Sequence, residues 1–331
     1  MDPLSQGVLG ASLSQSFSSK KNIIFVFIIG FLAGMFPDVD ILFRSNQDPL
    51  LFLEFHRQFT HSLIFIPFGG FIFSIIFYGF FFKIVPLSFF KIWLYATLGY
   101  ATHGLLDACT SYGTQLLWPF SNDRISWNNI SIIDPLFTIP ILILIIISIT
   151  KRKVFWAKIA LAWALIYLCI GFIQKDRAEQ LAKEIINERN HYPEVISVKP
   201  SFGNLILWKI IYQNDGYFYI DAVNIGIKKE IFKGEKIKKF NRSDLSYYDE
   251  LSNLQRKDID RFLWFSQDFV AINPKNEFEL LDVRYSNIPN NIGGLWGIRL
   301  RPNSKKHVEF ISNRSLEKRD FNKFFQMIFN F

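Results

Sequence analysis

The strongest constraint on this chain is where its charges are missing. Residues 1–173 of the 331 hold 11 Lys and Arg and 8 Asp and Glu, leaving 26 and 21 for residues 174–331. Within the first part lie apolar runs at residues 23–36 with their flanks, 63–82, 92–108, 136–149 and 154–173, the last two forming a hairpin. A bilayer core takes about 20 helical residues, so these runs read as five membrane spans. Aromatic residues make up 17 % of the chain, more than an ordinary soluble interior hides, yet the mean hydropathy of +0.17 is too low for a wholly integral protein. The sequence therefore predicts an integral helical domain over residues 1–173 and a soluble domain over residues 174–331.

Charge also orients the spans. Lys20 and Lys21 precede the first, Lys83 and Lys91 separate the second from the third, and Lys151, Arg152 and Lys153 separate the last two. The positive-inside bias assigns these sites to the cytoplasm, which puts the loops 38–62 and 110–134, and everything after residue 174, on the other side of the membrane. Residues 2–17 are weakly hydrophobic and lack the charged start and long apolar core of a cleavable signal peptide. As a short helix running inward to Lys20 they would make a sixth segment.

In the soluble half, residues 176–190 carry a helical pattern rich in Ala, Glu, Lys and Arg. The period then changes to two. Residues 205–212 and 217–223, joined by Asn214-Asp215-Gly216, read as a β-hairpin, because Asp-Gly tolerates the positive φ of such turns. Further strands are predicted at 269–272, 278–285, 295–300 and 308–311, giving an α+β or mainly β domain. Cys109 and Cys169 sit in or beside apolar runs and read as buried free thiols without a disulfide framework. The net charge of +8 comes from bases interleaved with acids, a solvated surface rather than a nucleic-acid-binding one.

Ionisable groups at membrane depth are costly and by default functional. Here they gather at one end. PDVD at 37–40 gives Asp38 and Asp40, HRQFTHS at 56–62 gives His56, Arg57 and His61, and HGLLD at 103–107 gives His103 and Asp107. By the topology above, all lie near the non-cytoplasmic face. His103 and Asp107 are four apart, so a helix projects both from one side, a spacing suited to chelation. Asp38 and Asp40 in a loop after Pro37 offer two oxygens. Three His and three Asp form a nitrogen and oxygen donor set suited to Zn²⁺, or to Mn²⁺ or Fe²⁺ where carboxylates dominate. The metal ligands expected are Asp38, Asp40, His61, His103 and Asp107. His56 is a further ligand or a general acid/base, and Arg57 a clamp for substrate charge or a headgroup anchor. Thr60 and Ser62 support His61 or cap a helix. Asp134 is a further ligand or starts the next span. Trp118 marks the bilayer boundary or the rim of the site, and His191 and His307 read as solitary surface residues.

Taken in order, DPLSQGVLGA, PDVD, HRQFTHS, HGLLD and SYGTQLLWPFS over residues 2 to about 135 resemble the YdjM-like, LexA-binding family of inner-membrane metal-dependent hydrolases. Longer members are similar in their soluble tail as well, at NLILWKIIY, residues 204–212, and LLDVRYS, residues 280–286. The family is distantly similar to zinc-dependent phospholipase C and the P1-type nucleases, which hydrolyse phosphoric esters. Some members have His where this chain has Gln6, and the later His and Glu ligands of the soluble enzymes have no counterpart after Asp134. The resemblance thus implies one or two metals, a metal-activated water, and a phosphoric or other ester of a lipid or amphiphile as substrate. A second class, a non-catalytic membrane protein with an ion pathway or structural metal site and a partner-binding soluble domain, stands beside it. The almost wholly apolar spans 136–149 and 154–173 argue for a site over a path.

Overall fold

A computed structural model of the chain describes residues 1–227, 229–313 and 318–329. They divide into two compact units, residues 1–42, 55–173 and 202–205 in the first, and residues 43–54, 174–201 and 206–331 in the second.

The first unit is helical. It contains α1 (Pro3–Ser16), α2 (Ile23–Met35), a 3-10 turn Phe36–Leu42, the end of the short α3 (Leu51–Phe55), a second turn Phe59–His61, α4 (Ile66–Phe81), α5 (Phe89–Cys109), α6 (Pro135–Lys151) and most of α7 (Val154–Glu188). The caps follow the sequence. The Asp2 side chain accepts from Ser5 N–H with Pro3 next to it, and Asp134 accepts from Leu136 and Phe137 N–H with Pro135 next to it. Arg152, in the left-handed region at φ 50°, closes α6 and starts the hairpin to α7.

Among the described residues, three helical segments are long and apolar enough to cross a membrane, Ile23–Leu42, Leu63–Phe81 and Val154–Glu188, and α6 is apolar but shorter at 17 residues. The five or six spans expected from the runs therefore reduce to three on length and composition. α5 has the length, but His103, Asp107 and its Thr and Gly residues dilute its apolarity. Phe68, Phe71, Ile72, Ile75 and Ile76 on α4, and Leu136, Ile139, Ile143 and Ile146 on α6, remain exposed at helical spacing. Such faces suit hydrocarbon, not water.

α1 packs against α2, α5 and α6 and is buried almost throughout, polar residues included. Its hydroxyls and amides bond across helices, Ser12 to the Ala157 carbonyl at 3.0 Å, Ser14 to the Tyr95 carbonyl at 2.8 Å and Gln15 to the Ile23 carbonyl at 2.9 Å. Glycine makes the approach possible. A Cβ on Gly10 or on Gly99 would lie 2.6 Å from the Gly30 carbonyl oxygen, so α1, α2 and α5 meet main chain to main chain.

The second unit holds two antiparallel sheets. β1 (Val195–Pro200), β2 (Leu207–Asn214), β3 (Tyr217–Asn224) and β4 (Glu230–Phe232) lie in that order, and β5 (Lys236–Lys238) also pairs with β3. After α8 (Asn253–Phe265), the meander β6 (Val270–Asn273), β7 (Asn276–Asp282), β8 (Trp296–Arg299) and β9 (Glu309–Ser312) forms the second sheet, and α9 spans Lys318–Phe329. The expected hairpin is β2–β3, with Asp215 and Gly216 at φ 49° and 73° in the turn. Ile211, Phe218, Ile220, Ile237, Phe269, Ala271 and Val283 form a shared core. The strands predicted after residue 268 appear with ends shifted by one to three residues, whereas β1, α8 and α9 were not predicted. The helix expected at 176–190 is not separate, because nothing in the chain before it breaks α7. Cys109 is buried, but Cys169 is exposed on the apolar face of α7, contrary to the expectation of two buried thiols.

Candidate metal centre

The residues singled out by the sequence come from separate places in the first unit. Asp38 and Asp40 lie in the turn after α2, His56 and Arg57 follow α3, His61 ends the turn Phe59–His61, and His103 and Asp107 lie one turn apart on α5. The fold brings all seven together. Gly104 assists, since a Cβ there would collide with the His61 carbonyl as the turn crosses α5.

Four side-chain atoms face one point. His61 Nε2 lies 3.0 Å from His103 Nε2, 3.5 Å from Asp38 Oδ1 and 3.3 Å from Asp107 Oδ2. His103 Nε2 lies 3.4 Å from Asp38 Oδ1 and 3.7 Å from Asp107 Oδ2. A tetrahedron whose corners stand about 2.0–2.1 Å from its centre, the usual zinc–nitrogen or zinc–oxygen length, has edges of about 3.3 Å. These five distances bracket that edge, so the donor set fits a divalent ion. Asp107 Oδ2 is buried and is met by charge rather than by an aligned hydrogen bond. Arg57 Nε stands 3.0 Å from it, and the Met1 amine contacts the other oxygen of Asp107.

The far side of each imidazole is held as a metal ligand requires. His103 Nδ1–H donates to the Gly34 carbonyl at 2.6 Å, and His61 Nδ1 lies 3.0 Å from Thr60 Oγ1 and 3.2 Å from Asp40 Oδ2. Partners at Nδ1 leave the Nε2 lone pairs for the centre. Burial opposes a charge on His61, yet its bonds to Asp107, Asp38 and Asp40 outweigh this and push its pKa up to about 10. Without a metal, the four-atom cage holds a proton.

Asp40 does several things at once. Its oxygens accept from Thr60 Oγ1 at 2.8 Å and the Arg57 N–H at 3.0 Å, and meet His56 Nδ1 at 2.8 Å. Asp38, Asp40 and His56 form a second group whose ligand atoms lie within 4.8 Å of one another, sharing Asp38 with the first. Only His56 and Asp38 open outward, their side chains 34 % and 29 % exposed. Arg57 is buried with φ 66°, held there by Asp40 on its N–H and by Gln115 N–H on its carbonyl. Its guanidinium donates to Thr110 Oγ1 at 3.2 Å and lies over the Tyr112 ring at 5.1 Å. It faces the site, not a headgroup layer.

Gln6 donates to Asp107 Oδ1 at 2.9 Å while its own Oε1 is buried without a hydrogen bond. The Gly34 carbonyl, Thr110 and Tyr100, whose hydroxyl donates to the Thr60 carbonyl at 2.6 Å, escaped the sequence reading. A glycine just ahead of PDVD is the one signal that pointed there. Asp134 stands apart from the cluster, capping α6 and accepting from Tyr167 at 2.9 Å. Neither Thr60 nor Ser62 caps a helix with its side chain; Ser62 bonds back to the Phe59 carbonyl. Trp118 packs near Phe59, ring centres 6.2 Å apart.

The second unit has its own His and Asp group, Asp48, Asp258 and His307. Arg261 fills it, donating to Asp48 at 2.9 and 3.0 Å, to Asp258 at 2.9 Å and to Glu54 at 2.5 Å. His307 is thus not solitary, its Nδ1 lying 2.9 Å from Asp258 Oδ2, and neither is His191, 2.9 Å from the Tyr212 hydroxyl.

A family model described as YdjM inner membrane protein matches residues 1–178, which contain every residue of the centre. A relative in Bacillus subtilis, named Uncharacterized protein YfhP, is 26 % identical over 212 residues. That match covers 63 % of this chain, and the chain spans 62 % of the relative's length. No solved structure matches.

Proposed function

The chain belongs to the YdjM inner membrane protein family, and from that premise we propose that it is a multi-pass membrane hydrolase, dependent on a divalent metal, of an ester of a lipid or amphiphile, a phosphoric ester foremost. The observation that carries this reading is the cage of Asp38, His61, His103 and Asp107, with ligand atoms 3.0–3.7 Å apart and both imidazoles braced at Nδ1. These four hold the ion, preferably Zn²⁺, with Mn²⁺ and Fe²⁺ compatible, and Asp40 with His56 and the shared Asp38 offers room for a second. A divalent cation held there supplies Lewis-acid charge and the means to ionise a water near neutral pH.

The chain's own groups do the rest. Asp40 orients His61 from behind and fixes the tautomer of His56 through Nδ1, which leaves His56 Nε2 free to take or give a proton at the open side. Burial keeps the His56 pKa below its ordinary value against the pull of Asp40, so the ring is a base at neutral pH. Arg57 presents a fixed positive charge beside Asp107, suited to a phosphoryl oxygen. The apolar faces of α4 and α6 keep an amphiphile's tails within reach of the bilayer, and the positive-inside bias assigns the cage to the non-cytoplasmic side.

Elemental analysis of detergent-purified protein, wild type beside His103→Ala and Asp107→Ala, tests the reading. One or two ions per chain, lost in both variants, support it and justify hydrolysis assays with phospholipids and phosphodiesters. A wild-type protein that takes up no Zn²⁺ or Mn²⁺ sinks it and leaves an ion pathway or partner-binding role.

A further inference from the structure

Two segments that stand out in the sequence, residues 204–212 and 280–286, meet inside the second unit. Lys209 of β2 lies with Nζ 2.7 Å from Ser286 Oγ and 3.2 Å from the Asn291 carbonyl. Lys209 is 3 % exposed, and among the described residues no carboxylate lies within ion-pair distance of it. A lysine buried on those terms is rare. Its register partner on β1, Lys199, is buried too, and its Nζ makes no hydrogen bond and sits 3.3 Å from the centre of the Tyr285 ring. Two neighbouring buried amines resist holding two protons. Burial pushes the Lys209 pKa down to about 7, against the pull of Asp282 and Glu235.

Ser286 is half-buried and lines a cavity of about 670 Å³. Leu281, Ile288 and Ile292 line one part of it, Glu235, Lys236, Lys275 and Asp320 another, and Gly293 and Gly294 belong to its lining. A reachable hydroxyl that accepts from a buried amine, and gives its own proton to the Ile288 carbonyl at 2.7 Å, has both parts of an activated nucleophile once the amine is neutral and the hydroxyl turns to it.

We propose that Ser286 and Lys209 form a nucleophile–base pair that accepts the acyl group of a carboxylic ester bound in this cavity, an activity separate from the metal centre. In the first half-reaction Ser286 Oγ bonds to the acyl carbon while its proton passes to neutral Lys209 Nζ, and the carbonyl electron pair moves to its oxygen. That pair returns as the bond to the alkoxide breaks, and the alkoxide takes the proton from Nζ. Water then attacks the acyl-serine, gives its proton to Nζ, and the departing Ser286 oxygen recovers that proton as the carboxylic acid leaves.

Full-length protein in detergent is incubated with a fluorophosphonate probe and the modified peptide located by mass spectrometry. The expected result is modification at Ser286 at a rate that rises with pH through a midpoint near 7, as Lys209 loses its proton with Lys199, Asp282 and Glu235 around it. Ser286→Ala abolishes it. Lys209→Met slows it at least about 100-fold, the low end for loss of a general base, with the melting transition retained. No modification of Ser286 in folded wild type overturns the proposal, as does an unchanged rate in Lys209→Met. If Lys209→Met does not fold, the wild-type profile decides, since a rate flat between pH 5.5 and 9 excludes Lys209 as the base.

Discussion

Two clusters of His and Asp, one in each unit, differ in what stands at their middle. Around Asp48, Asp258 and His307 a guanidinium is already in place, and Arg261 gives each neighbouring carboxylate a charged hydrogen bond. Around Asp38, His61, His103 and Asp107 the ligand atoms face each other, and the one cationic side chain nearby, Arg57, stands at the edge beside Asp107 alone. Composition therefore does not separate a structural ion-pair network from a metal cage. What separates them is whether a resident cation reaches the centre, and which nitrogen of each His faces it.

The strongest way to break that comparison is to remove ligands from each cluster in turn. His103→Ala or Asp107→Ala should weaken Zn²⁺ binding by more than the 10- to 100-fold typical of a lost outer-shell partner. His307→Ala should leave metal content unchanged by elemental analysis. If His307→Ala also lowers it, the second cluster holds metal and the contrast is lost. Asp40→Asn should lie between, with affinity reduced about 10- to 100-fold in a chelator competition, because it loosens His61 and His56 without deleting the cage.

In the other direction, Arg261→Ala should destabilise the second unit by about 2–3 kcal/mol in urea unfolding, less than for a fully buried pair because Arg261 is one-fifth exposed. A null result would mean that water or neighbouring bases replace the guanidinium freely. The last effect is protonic. His61 in the metal-free cage has its pKa raised to about 10, so its contribution to folding is complete below about 6.5 and fades as pH rises through 10. Metal binding runs the opposite way, since the ion must displace that proton. About one proton should be released per ion at pH 7.5, and affinity should fall about tenfold for each unit the pH drops between 9 and 7, both measurable by calorimetry in buffers of different ionisation enthalpy.

Much of the centre was legible before any fold was known, because residues expensive to bury inside a membrane half had gathered in three short motifs. Asp107 and His103 declared their shared face through their spacing. What stayed hidden was supplied by main chain or by distance in sequence. The Gly34 carbonyl has no side chain to advertise it, the left-handed turn at Arg57 leaves no mark in HRQFTHS, and the weak hydrophobicity of α1 does not show that its hydroxyls bond across helices. The span count is only partly matched, for a related reason. α5 spends part of its length on the site, so its apolarity falls where its function begins. In the second unit, the hairpin was readable from Asp215 and Gly216, but Arg261 filling the acidic cluster joins α8 to Asp48 and Glu54, more than 200 residues away in sequence.

The contact of α1, α2 and α5 through Gly10, Gly30 and Gly99 bears on how the cage behaves when warmed. Its helices are spaced by peptide planes instead of by side chains, and Gly34, whose carbonyl braces His103, belongs to the same seam. Side chains change rotamer as temperature rises, whereas carbonyl oxygens and Cα atoms have no such freedom. The spacing of α2 and α5, and with it the seat of His103 and Asp107, is thus set by a component that scarcely expands, and should hold until the helices themselves come apart.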